Sequence, residues 1–148
     1  MFNPSVDDVR RFFCETWRKH RAGGVLTPLE AMAADAIAAH PDYHEELADL
    51  EAALARNYAV EDGRTNPFLH LSMHLAIAEQ VQVDQPHGIR AAYLQLAARH
   101  GNEHDAMHDV MEALSRVVWE AQRAAAPLGA EEMSGRYIDA LKARASRD

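Results

Sequence analysis

The sequence predicts an all-α fold, a single-domain helical bundle of about six to seven helices across residues 1–148. Three observations carry that reading. No stretch keeps the period-two alternation of a half-buried strand, Ala, Leu, Glu and Arg are abundant, and helix-start signals recur along the chain. The first helix starts after Ser5, with Asp8 as its capping-box partner, and puts Val6, Val9, Phe13 and Trp17 on one stripe. It ends near Gly23-Gly24. The second opens at Thr27-Pro28-Leu29-Glu30, where an N-cap Thr, a Pro in the first helical position and a Glu two residues on coincide. Pro41 disfavours helical geometry at His40 and restarts the chain as a third helix bearing Tyr43, Leu47, Leu50 and Leu54. Asn57 to Thr65 reads as a loop. Asn66-Pro67 begins a fourth helix that runs to about Val83 and breaks at Asp84-Gln85-Pro86. The fifth spans about Ile89 to His100 with Gly101 as its C-cap, and Asn102 caps a long sixth helix to about Ala125. A short last helix with Met133, Tyr137 and Leu141 forms a tail from about residue 130, expected to fray at its end.

Composition narrows the function. The chain has 148 residues, 48% hydrophobic and 26% charged, which suits one domain with a real core. Its 15 basic against 23 acidic side chains give a net charge of −8, so phosphate backbones and anionic lipid are repelled and no nucleic-acid or membrane partner is expected. No apolar run reaches membrane length, and Met1 to Arg11 lacks the apolar stretch of a secretory signal, so a cytoplasmic location is expected. Cys14 is the only cysteine. It reads as a buried, inert thiol and rules out an internal disulfide and a cysteine-rich zinc site. Any metal must be held by nitrogen and oxygen.

The unusual count is histidine: 9, at positions 20, 40, 44, 70, 74, 87, 100, 104 and 108. HPDYH, HLSMH and HDAMH give the pairs His40/His44, His70/His74 and His104/His108, and His100 adds a further i,i+4 relation to His104. Random placement would yield about 0.5 such pairs. Residues four apart share a helix face, so two imidazoles can converge on a metal. At 100° per residue, His70 and His74 fall inside the stripe of Met73, Ile77 and Val81, whereas Glu79 falls opposite and is set aside. His104 and His108 border the core beside Met107 and Met111, with Glu112 one turn past His108 as the leading carboxylate. His40 lies on the apolar side of the second helix and His44 edges the third.

The expected metal ligands are therefore His40, His44, His70, His74, His104, His108 and Glu112, with Glu30 and Glu51 as weaker carboxylates. An imidazole-rich set suits iron or zinc first, with copper, nickel or manganese also compatible, and is poor for magnesium or calcium. One histidine on an apolar face is usually a hydrogen-bonded core residue. Six together would need many acceptors in a core of Leu, Ala and Met, which favours a shared metal. His20, His87 and His100 read as surface or helix-end residues, the methionines as core, and Trp17 and Trp119 as core anchors.

NPFLHLSMHLAIAEQ, DQPHGIR and EHDAMHDVMEAL, with the opening MFNPSVDDVRRFFCETWRKHRAG and TPLEAMAADAIAAHPDYH, resemble an uncharacterised bacterial family catalogued as domain of unknown function 1841. The likeness covers nearly the whole chain except the C-terminal tail and implies no function. A looser similarity is to hemerythrin-like helical-bundle metalloproteins, which implies histidines and carboxylates from facing helices around one or two metals. His108-to-Glu112, His70-to-His74 and His104-to-Asp109 carry that similarity, in a different order along the chain.

Two functions follow from the residues. The first is a histidine-rich metal-binding protein with a mono- or dinuclear non-haem site. Iron or manganese bridged by Glu112 would support redox chemistry, and zinc with an open position would support hydrolysis. The second is a non-enzymatic structural or pH-responsive helical interaction module driven by histidine protonation near pH 6. The metal ion is the expected partner; no motif identifies a protein partner or a substrate.

Overall fold

A computed structural model describes residues 5–56, 58 and 66–146, and every regular element among them is helical. In chain order these are α1 (Val6–Arg21), α2 (Pro28–Ala38), a 3-10 turn (Pro41–Tyr43), α3 (His44–Leu47), α4 (Leu50–Ala55), α5 (Pro67–Val83), α6 (Ile89–His100), α7 (Glu103–Arg123) and α8 (Ala130–Ala145). Contacts group the chain into two compact units, Met1–Leu75 and Ala76–Asp148, whose boundary falls within α5.

In the first unit α1 packs on α2, α3 and α4. Both helix starts follow from their caps. Ser5 and Asp8 form a reciprocal box, as do Thr27 and Glu30, each satisfying two backbone N–H groups that the helix leaves over. The core gathers Phe13, Cys14 and Trp17 of α1, Ala33 and Ile37 of α2, Tyr43, Leu47, Ala53, and Phe68 and Leu71 of α5. Val6, expected on that stripe, is 66% exposed. Where one helix was expected from Pro41 onward, the backbone makes a 3-10 turn and two short helices, because the Asp49 carboxylate accepts the Ala52 N–H and starts α4 afresh. The expected loop Asn57 to Thr65 lies outside the described residues apart from Tyr58.

In the second unit α6, α7 and α8 pack on one another. Gly101 at φ 79° closes α6 in the left-handed region, and Asn102 starts α7 by accepting the Asp105 N–H. The last helix forms from residue 130, and residues 147 and 148, where fraying was expected, lie outside the described residues. α8 is a 16-residue helix that buries Tyr137, Ile138 and Leu141, since its apolar positions have α6 and α7 to meet. Trp119 is not a core anchor. It is 55% exposed on α7, with the Arg123 guanidinium 4.4 Å from its ring centroid, because the buried stripe of α7 runs through Ala106, Val110, Ala113 and Val117. No helix among the described residues is long and apolar enough to cross a membrane.

Candidate metal centre

The first unit brings together His40, His70 and His74. His40 is the junction residue that Pro41 holds out of helical geometry, at φ −126° and ψ 71°. Its ring turns back on α2, where Nδ1–H donates to the Ala36 carbonyl at 2.7 Å. That bond fixes the tautomer and leaves the Nε2 lone pair of the neutral ring to face away from α2. His70 and His74 stand one turn apart on α5. Asn66 starts that helix by accepting the backbone N–H groups of Phe68 and Leu69 at 3.0 and 3.2 Å. Because α5 is regular, the i,i+4 relation becomes a physical pair with ring centroids 4.8 Å apart.

The three Nε2 atoms form an equilateral triangle with edges of 3.2 Å. The rings are inclined to one another by 77°, 66° and 74°, a propeller whose blades meet at their Nε2 ends. A metal bonded at about 2.05 Å would see neighbouring nitrogens about 3.3 Å apart in a tetrahedron and about 2.9 Å apart on an octahedral face. The 3.2 Å edge lies nearer the tetrahedral value. His40, His70 and His74 would hold such an ion through their Nε2 atoms. Hydrogen bonding between the rings explains the triangle less well. An Nε2–H lies in its own ring plane and points at one acceptor, so the three edges cannot all be hydrogen bonds at once. A single cation between the rings would meet all three lone pairs.

The triad is largely withdrawn from solvent. His40 and His74 are each 6% exposed and His70 is half-buried. Tyr43 stacks on His40 at 5.2 Å and 4° and meets the His70 ring edge-on at 5.9 Å. Burial first, then Asp42 and Glu46, pushes the Tyr43 phenol above its ordinary range, so it stays a neutral wall. Neither that wall nor the Ala36 carbonyl was assigned a role from sequence, although Tyr43 stands within HPDYH; an orienting backbone carbonyl leaves no residue-type signal.

The other expected ligands are placed as follows. His44 Nε2–H donates to the Ile37 carbonyl at 2.7 Å, and the His44 ring lies 4.3 Å from that of Trp17, so this histidine helps close the C-terminus of α2. Glu30 is held in its capping box and by Lys19 at 2.9 Å, which lower its carboxyl pKa, and Glu51 is exposed. In the second unit His104 is exposed and His108 half-buried, their ring centroids 4.3 Å apart. Glu112 has a largely exposed side chain, 3.5 Å from Arg144. His20 lies against Trp17, His100 pairs with Asp109 at 3.0 Å, and His87 pairs with Asp84 at 3.2 Å. All three keep the peripheral roles expected of them.

Three comparisons with known proteins complete the picture. The family model described as "Domain of unknown function (DUF1841)" matches residues 5–143. No curated protein and no solved structure matches the chain.

Proposed function

Since the chain belongs to the DUF1841 family, whose description assigns no activity, we propose from the site itself that it is a transition-metal-binding protein, with His40, His70 and His74 as ligands. The observation that carries this reading is the 3.2 Å triangle of Nε2 atoms, whose edge fits the ligand spacing of a tetrahedral ion. Zinc is the metal we assign. The triad is all imidazole, and non-haem iron centres commonly add a carboxylate to two histidines, a role for which Glu112 would have to give up Arg144.

His108 is our candidate for the fourth ligand, on the strength of its i,i+4 histidine partner and its half-buried place on α7. Four imidazoles would close the shell and make the centre structural. A water in the fourth position would instead be acidified by the ion and supply hydrolytic chemistry. What the chain itself contributes is orientation. The Ala36 carbonyl fixes the His40 tautomer, the Tyr43 face fixes its ring, and the burial of His40 and His74 limits competition from bulk water for the nitrogens.

The test is metal analysis of untagged protein, followed by reconstitution with Co(II). A single equivalent per chain with the intense visible bands of tetrahedral cobalt is expected. His108→Ala separates the closed from the open shell: retention of the ion with a shift to water ligation assigns the fourth place to His108. Protein that stays metal-free after reconstitution would defeat the proposal and favour the interaction-module alternative.

A further inference from the structure

A second cavity, lined by different chemistry, lies along α1. Residues 14, 18, 21 and 22 recur at three- and four-residue spacing and share one helix face. Opposite that face the chain does not continue as a helix. α3 stops at Leu47, Ala48 turns, and Asp49 caps the start of α4. The interruption leaves a cavity of about 430 Å³ between α1 and the α3–α4 break. That volume falls in the range of small-molecule sites.

Its lining is divided by chemistry. Cys14, Trp17 and Leu47 are 4%, 8% and 2% exposed and, with Leu50, make an apolar floor. Burial, reinforced by Asp49 and Glu15, pushes the Cys14 thiol up to about 11, so the floor carries no thiolate. Arg18 and Arg21 stand at the mouth, and Glu15 is the one acidic residue of the lining. Neither arginine forms an ion pair among the described residues, although the chain carries a net charge of −8. Part of this positive charge suits the C-terminal end of α1, where cations offset the helix dipole. The dipole does not account for an apolar cavity beneath them.

We propose that the cavity binds a small amphipathic anion, an aliphatic body ending in a carboxylate. Its chain lies against Trp17, Leu47 and Leu50, and its carboxylate meets the Arg18 and Arg21 guanidiniums. Two cations against one carboxylate select the sign of the head group, and the apolar floor selects the body. The site shares no side chain with the histidine triad, so it stands or falls independently of metal binding.

Octanoate and octanol, matched in chain and different in charge, are the probes. Full-length protein carrying Trp119→Phe reports through Trp17 alone. Saturable change in Trp17 emission is expected with octanoate and about tenfold weaker binding with octanol. The double variant Arg18→Ala/Arg21→Ala should weaken octanoate about tenfold and leave octanol within about twofold. Ala48→Phe, which adds a ring at an exposed lining position, should abolish binding of both, with circular dichroism confirming that the helices persist. Equal affinity for the two probes, octanoate binding that survives Ala48→Phe, or no saturable signal would each overturn the proposal.

Discussion

Replacing His74 by Ala removes one corner of the nitrogen triangle, and its consequence can be worked from the geometry. His74 Nε2 lies 3.2 Å from both His40 Nε2 and His70 Nε2, so its loss leaves the triangle with two of its three nitrogens. Structural zinc sites bind with roughly 10–16 kcal/mol from four ligands, or about 3 kcal/mol for each. Affinity should therefore fall by more than about a hundredfold. The loss also appears in stability, because an ion bound only by the folded state adds RT ln(1 + [M]/Kd). At about 100 Kd that is about 2.7 kcal/mol, or about 5–10 °C in Tm for a chain of this length. The same metal concentration would lie at or below the variant's Kd, so the variant would gain at most about 0.4 kcal/mol, under about 2 °C. The assay is a paired melt with zinc and with chelator, alongside competition titration against a chromophoric chelator. His87→Ala is the control, because its side chain is 95% exposed and pairs with Asp84. A helical His74→Ala protein that keeps wild-type zinc affinity and the full metal-dependent rise in Tm would refute the assignment.

Three further outcomes follow from other parts of the molecule. Ligating imidazoles must be unprotonated, so zinc content after equilibrium dialysis should fall steeply as buffers are taken below about pH 6, while His87→Ala leaves that profile unchanged. Burial pushes the Asp109 carboxyl up, but hydrogen bonds and charge from His100 and Arg144 outweigh it and hold the pKa below the ordinary value. A folded-state pKa below the unfolded one of about 3.9 adds stability that is present above that pH and lost as pH falls through the folded value. Asp109→Asn should thus cost about 1–2 kcal/mol near pH 7 in urea melts and flatten the acid limb of the stability profile. Gly135 sits within α8 with nothing within 4 Å of where a Cβ would stand. Gly135→Ala should therefore stabilise by about 0.5–1 kcal/mol, read as a rise of about 2 °C in Tm.

Helix positions were legible because their signals are local. Ser5, Thr27, Asn66 and Asn102 each satisfy backbone N–H groups within three residues of themselves, so residue type and spacing suffice to place those starts. The His70/His74 pair was legible for the same reason, since an i,i+4 relation on a regular helix is already a distance. The break at Asp49 was not. Tyr43, Leu47, Leu50 and Leu54 keep helical spacing across it, whereas the Asp49 carboxylate competes with the continuing ladder by accepting the Ala52 N–H between the buried Leu47 and Ala53.

By itself, then, the sequence determined an all-α chain, its main helix starts, the inert environment of Cys14 and a surplus of histidines at metal-ligand spacing. Tertiary structure decided which histidines meet. His40 joins His70 and His74 across 30 and 34 residues because Pro41 ends α2 beside α5 and the Ala36 carbonyl turns the ring. His44, only four residues further on, is drawn instead to the Ile37 carbonyl and the Trp17 face. The physical reason is that periodicity fixes the face a side chain occupies, whereas ligation depends on where its nitrogen ends. That endpoint is set by hydrogen bonds and packing between residues far apart in the chain.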